Sequence, residues 1–101
     1  MPEMVKLSAD SLVCTAQDVV SSQLADEIVI LDLKSGVYHG LDGVGARVWE
    51  LVGDATPIRT IHDALVDEYD VDPAQCEEDL LWLIGDLESH GLVRISDQPN
   101  A

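Results

Sequence analysis

The chain has 101 residues, 47% of them hydrophobic, and carries 20 Asp and Glu against 5 Lys and Arg, a formal net charge of −15. That length and apolar content suit one small domain able to fold without disulfides or a structural metal, and they exclude a disordered, collagenous or coiled-coil chain. The charge argues against nucleic acid and anionic membrane surfaces, which are held through clustered cations, because Lys6, Lys34, Arg47, Arg59 and Arg94 stand singly.

Residues 1–10 and 96–101 are polar, contain Pro2 and Pro99, and show no sustained periodicity, so they read as flexible tails around a domain over 11–95. Leu12-Val13-Cys14-Thr15 within 11–17 is β-prone, and Ile28-Val29-Ile30-Leu31 within 26–33 is denser still. Lys34-Ser35-Gly36 then forms a turn with glycine where a left-handed backbone is easiest, and Val37 to Leu41 resumes the strand pattern, which predicts a hairpin.

From Asp42 the apolar period changes from two to about 3.6. Val44, Val48, Leu51 and Val52 predict a short helix over 43–52, with Asp42 as N-cap and Gly53 as the stop. Thr56-Pro57 reads as a capping hydroxyl followed by proline at the first helical position, opening a helix over 57–69 whose apolar face is Ile58, Ile61, Leu65 and Tyr69. Asp72-Pro73 repeats that start signal, and Cys76, Leu80, Leu83, Ile84 and Leu87 continue a third helix to His90-Gly91, after which Leu92 to Ile95 adds a short terminal strand. The implied fold is α+β: a three-stranded antiparallel meander followed by three helices packed on one face, in the manner of a winged helix-turn-helix.

Catalytic and cofactor signatures are missing from the sequence. His39, His62 and His90 lie at no recognised ligand or catalytic spacing to a cysteine or carboxylate, so no catalytic base and no metal is assigned. Cys14 and Cys76 form no CxxC pair and read as buried free thiols. The glycines of Gly40-Leu41-Asp42-Gly43-Val44-Gly45 do not fit GxGxxG and lack a βαβ setting. Asp70 and Asp72 have the first spacings of a calcium loop, but Ala74, Gln75 and Leu81 stand where it needs an oxygen ligand, a glycine and a glutamate. No apolar run approaches the ~20 residues of a membrane span, and no secretion signal opens the chain, so cytoplasmic residence is expected.

The third helix carries more apolar surface than one core needs. Cys76, Leu83, Ile84 and Leu87 lie within about 60° of Leu80, whereas Leu81 lies about 100° away and Trp82 about 160° away, beside Glu78, Asp79 and Asp86. An aromatic residue rimmed by charge fits an interaction surface. The last strand of the meander also has a free edge, Val37-Tyr38-His39-Gly40-Leu41, whose alternation sends Val37, His39 and Leu41 to one face and Tyr38 and Gly40 to the other, with one face towards the third helix. Edge strand and helix together predict a cleft for an extended peptide.

At this point a family resemblance becomes visible. Leu31-Asp32-Leu33-Lys34-Ser35-Gly36-Val37-Tyr38-His39-Gly40-Leu41-Asp42, then Val44-Gly45-Ala46-Arg47-Val48-Trp49-Glu50-Leu51, resembles the pyrroloquinoline quinone biosynthesis protein D family of peptide chaperones. Thr60-Ile61 to Leu65, Glu68-Tyr69-Asp70-Val71, Asp79 with Leu83 and Leu87, and Gly91-Leu92-Val93 agree in order, so the likeness covers about 28–95. Within the family the stretch from Tyr38 to Trp49 looks most like the stand-alone recognition elements of lasso-peptide biosynthesis.

The resemblance implies a non-catalytic protein that binds a precursor's leader as an added strand on Val37 to Leu41. The helical wall of the groove would use Asp79, Leu80, Trp82, Leu83, Asp86 and Leu87. It also implies delivery of the precursor to a transglutaminase-like cysteine protease that removes the leader, before an ATP-dependent lasso cyclase closes the ring. Two other readings stay open: a chaperone serving a different peptide-modifying enzyme, and a winged-helix regulator, which the net charge and Glu77-Glu78-Asp79 on the third helix oppose.

Overall fold

Ile28-Val29-Ile30-Leu31, the densest apolar run in the sequence, forms the middle strand of a three-stranded sheet in a computed structural model that describes residues 7–53 and 55–96. The elements in chain order are β1 (Leu12–Thr15), β2 (Val19–Leu24), β3 (Glu27–Asp32), β4 (Tyr38–Asp42), α1 (Gly43–Leu51), β5 (Thr56–Pro57), α2 (Ile58–Glu68), α3 (Pro73–Ser89) and β6 (Val93–Ser96). The strands form two antiparallel sheets of three, ordered β2-β3-β4 and β5-β1-β6. The architecture is α+β with three helices, and it is compatible with a winged-helix layout.

The expected meander is corrected at its first strand. Leu12–Thr15 does not join the strands at 27–32 and 38–42; it pairs with β6 and β5, and Val19–Leu24 takes its place beside β3. Five of the six β2 residues are exposed, so that strand had no buried alternation for a sequence pattern to register. A tight turn at Ala25-Asp26, with Ala25 at φ 57°, brings β2 back onto β3. The hairpin between β3 and β4 forms as expected, with Gly36 at φ 76° and its N–H donating to the Asp32 carbonyl at 2.7 Å. Lys34 N–H donates to the Asp32 carboxylate at 3.0 Å and holds its pKa below the ordinary value.

The helix starts divide the same way. Asp72 caps α3 by accepting from Gln75 N–H at 2.9 Å, with Pro73 as the first helical residue and Gly91 at φ 76° just past the end. Thr56-Pro57 carries the same two-residue signal but forms β5, paired with Leu12 and Val13, and α2 begins one residue later. The Thr56 hydroxyl accepts from Gly53 N–H at 3.1 Å and makes no helix cap. Asp42 precedes α1 without a side-chain capping bond.

One core joins both sheets to the helices. Ile30, Val13, Val48, Ile58, Ile61 and Ile84 are fully buried, with Leu65, Leu80, Leu87, Leu92 and Val93 beside them. Trp49 is also buried, its indole N–H donating to the Ser21 hydroxyl at 3.2 Å and so tying α1 to β2. Of the N-terminal tail, residues 1–6 lie outside the described residues, whereas Ala9 accepts from Arg59 N–H at 2.9 Å and Leu7 packs near Gly85 of α3. Residues 97–101 also lie outside them.

Candidate functional site

The backbone register decides what the edge of β4 offers. Asp32 N–H donates to the Val37 carbonyl at 3.0 Å, and the ladder continues with Ile30 opposite His39 and Ile28 opposite Leu41. Antiparallel pairs alternate between hydrogen-bonded and non-hydrogen-bonded positions. His39 and Leu41 therefore direct their N–H and C=O groups at β3, while Tyr38 and Gly40 direct theirs away from the sheet. The other side of β3 agrees: Leu33 N–H donates to Asp18 at 2.8 Å, so odd-numbered β3 residues serve β2 and even-numbered ones serve β4. Among the described residues no strand pairs with the outer edge of β4.

Side chains on β4 alternate in the opposite sense. His39 and Leu41 share the face of buried Ile30 and Ile28, towards the helices, whereas Tyr38 sits on the outer face and is largely exposed. Val37 lies just before the strand; the expected range 37–41 is shifted by one residue to 38–42. Gly40 lacks a side chain at the centre of the free edge, and a Cβ there would come within 3.0 Å of the Glu27 carboxylate.

α3, which meets β4 through the ring contact of His90 with His39, presents side chains of graded exposure. Leu80 is buried but lines a cavity of about 540 Å³, together with half-buried Leu83 and with Asp79 at its rim. Trp82 is 71% exposed, in contrast to half-buried Leu81, so the two apolar residues outside the core stripe have different surroundings. Leu81 packs against the core cluster. Asp86 is half-exposed one turn beyond Trp82. Leu87, expected on the groove wall, is sealed in the core at 3% exposure and lines no part of the cavity.

The remaining cavity wall is one that sequence reasoning missed. Val44, Gly45 and Val48 of α1, Leu65 of α2, and Val71, Asp72, Gln75 and Cys76 complete it. Val44 and Val48 were legible as an apolar i,i+4 pair, but that pattern signals core, whereas Val44 is 47% exposed at the cavity mouth. Burial, with Asp79 nearby as a lesser cause, pushes the Cys76 thiol above its ordinary pKa and keeps it protonated and apolar in character.

Two contacts hold the walls at fixed spacing. Arg47 grips Glu68 bidentately, Nε at 2.8 Å and the second terminal nitrogen at 2.6 Å, and reaches Glu50 at 3.2 Å, which locks α1 to α2. That grip lowers the Glu68 pKa and raises that of Arg47. His62 of α2 donates through Nε2 to the Pro73 carbonyl at 2.8 Å, joining α2 to the start of α3. The other described basic side chains in ion pairs are Lys34 with Asp18 and Arg59 with Asp10, so among the described residues no Lys or Arg is paired with Asp79 or Asp86. No group of three or more His, Cys, Asp or Glu among the described residues is placed to hold a metal ion, and no helix there is long and apolar enough to cross a membrane.

The fold thus presents an open strand edge on β4, an apolar hollow between α1 and α3, and an exposed indole on α3. Such features are suited to backbone pairing and side-chain selectivity towards an extended peptide.

Comparison with known proteins supplies the lineage. No curated protein matches the chain. Among solved structures, TbiB1 in complex with the TbiA(beta) leader peptide is 35% identical, covers 80% of this chain and 94% of its own, and superposes with a TM-score of 0.72. A lasso peptide synthetase B1 complexed with the leader peptide shares the fold, with 20% identity, coverage of 81% and 96%, and a TM-score of 0.68. The family model described as coenzyme PQQ synthesis protein D (PqqD) matches residues 27–93, from the start of β3 to the start of β6, so both walls of the groove fall inside it and this chain belongs to the PqqD family.

Proposed function

We propose that this chain is a non-catalytic recognition element of lasso-peptide biosynthesis, which captures the leader of a ribosomally made precursor as an added strand on β4, against α3. The observation that carries the reading is the free edge of β4, whose outward N–H and C=O groups at Tyr38 and Gly40 meet no strand among the described residues, while α3 carries an apolar cavity wall and the exposed Trp82. Main-chain pairing gives attachment that tolerates sequence variation; apolar leader side chains entering the hollow between α1 and α3 give selectivity. The likeness to TbiB1, itself solved with a leader peptide, supports the same reading.

The bound precursor is then presented, in the cytoplasm, to a separate transglutaminase-like cysteine protease that removes the leader, and afterwards to the ring-closing cyclase. Both partners are assigned from the resemblance to the recognition elements of lasso-peptide biosynthesis.

The test is fluorescence-polarisation titration with the labelled leader of the precursor encoded nearest this gene, against a scrambled control. Saturable binding of the native leader alone supports the reading. Absence of binding by the folded protein at tens of micromolar, with or without the peptidase, overturns it.

A further inference from the structure

We propose that the leader bound in this groove carries a basic side chain, Lys or Arg, that lies across the indole of Trp82 between the carboxylates of Asp79 and Asp86. The inference rests on the leader-recognition reading and adds to it the chemical class of a residue in the peptide.

Three observations converge on that side chain. The first is Trp82 itself: the chain has two tryptophans, and while Trp49 is buried with its N–H satisfied, Trp82 stands 71% exposed on the groove helix. A large aromatic ring left in water and rimmed by charge is a surface suited to a partner.

The second is the position of the two carboxylates. Asp79 and Asp86 stand three residues before and four residues after Trp82, which places all three on one side of α3. One Asp79 oxygen accepts from Gln75 at 3.0 Å, and the nearest ionisable donor to the Asp86 carboxylate is His90 at 3.8 Å, so neither acid is neutralised by a Lys or Arg among the described residues.

The third is charge balance. With a net charge of −15, the chain repels acidic peptides and attracts basic ones, and Asp72 and Asp79 extend the negative potential along the cavity wall. An indole face flanked by two acids suits a side chain with an alkyl or planar stem and a cationic head: the stem covers the ring, the head is drawn to its π-face, and the carboxylates take the N–H donors. A purely apolar residue would cover the indole equally well but would leave both acids uncompensated beside a desolvated peptide.

The test uses the full chain and the leader encoded beside its gene. Each Lys of the leader is replaced in turn by norleucine and each Arg by citrulline, and affinity is measured against the wild-type protein, Trp82→Leu, and the double variant Asp79→Asn/Asp86→Asn. One replacement is expected to weaken binding to the wild type about three- to tenfold and to have little further effect on either variant protein. The same replacement, or the double Asn variant, flattens the salt dependence of binding.

All three proteins are expected to melt together, because the altered side chains are exposed or half-exposed. If the native leader binds but contains no Lys or Arg, or if every neutral replacement leaves affinity unchanged, the inference is overturned while leader recognition stands. If a replacement weakens binding equally to wild-type and variant proteins, the cation sits elsewhere and the inference is likewise overturned. Failure of the native leader to bind the wild-type protein overturns the underlying reading, and this inference with it.

Discussion

His39 on β4 and His90 at the C-terminal end of α3 meet edge to face, their ring centroids 5.5 Å apart and their planes at 64°. The contact links strand to helix at the N-terminal end of β4, while the cavity opens beyond the other end of the strand, where α1 begins. Asp86 completes the link, its main-chain carbonyl accepting from His90 Nδ1–H at 2.8 Å.

If the two imidazoles hold β4 against α3, they are energetically coupled. A double-mutant cycle with His39→Ala and His90→Ala, followed by urea unfolding, is expected to give a coupling of about 0.5–1.5 kcal/mol. A coupling of zero would mean that the rings are neighbours without consequence for the groove.

Gly40 is the backbone test of strand addition. Its N–H points away from β3, so Gly40→Pro removes a donor that the sheet does not use and that an added strand does. The expected outcome is a cooperative melt close to that of the wild type, with leader affinity reduced about tenfold, the effect of losing one main-chain hydrogen bond and crowding the edge. Unchanged affinity in the folded variant would place the peptide elsewhere.

Trp82 is also a built-in reporter. Covering it with peptide moves the indole from water to a drier setting, so leader titration is expected to shift the tryptophan emission to shorter wavelength. Trp82→Phe should abolish the shift, leaving the buried Trp49 signal constant. A shift that persists in Trp82→Phe would point to rearrangement around Trp49.

Adjacent residues on α3 separate stability from binding. Ile84 is fully buried, and Ile84→Ala is expected to cost about 2–5 kcal/mol of stability in chemical denaturation. Leu83 is half-buried at the cavity wall, so Leu83→Ala should cost less stability and more leader affinity. Equal losses of stability in the two variants would make Leu83 a core residue only.

The ion pair behind the cavity predicts a pH dependence. Arg47 holds the folded-state pKa of Glu68 below the ordinary glutamate value of 4.5. A depressed carboxylate contributes stability that is present above the unfolded value and lost as pH falls through the folded one. The melting temperature of Glu68→Gln should thus lie below that of the wild type at pH 7, with the gap narrowing below about pH 4.5 as Glu68 takes up its proton. A gap that stayed constant on acidification would mean that the pair does not stabilise the fold.

Much of the groove was legible because its two main walls rest on local signals. Gly36 announced the hairpin, Asp72-Pro73 and His90-Gly91 bounded α3, and Trp82 stood out as an apolar residue on the wrong side of a helix; each depends on neighbours a few residues away. The third wall was not legible, because Val44 and Val48 repeat at a spacing that serves core and cavity alike. Only the packing of α1 onto β3 and β4 separates those roles, by burying Val48 and leaving Val44 at the cavity mouth.

The same division runs through the whole protein. The sequence by itself determined the α+β class, the three helices, the β3–β4 hairpin and the acidic character of the surface, since periodicity, capping and charge are written in consecutive residues. Tertiary structure alone decided that Leu12–Thr15 leaves the meander for a sheet with β5 and β6, that exposed β2 replaces it, and that Thr56-Pro57 is strand where its letters read as a helix start. Those outcomes depend on hydrogen bonds between segments as far apart as Leu12 and Ser96. Such pairings are chosen by the closure of the entire core, and no local pattern encodes them.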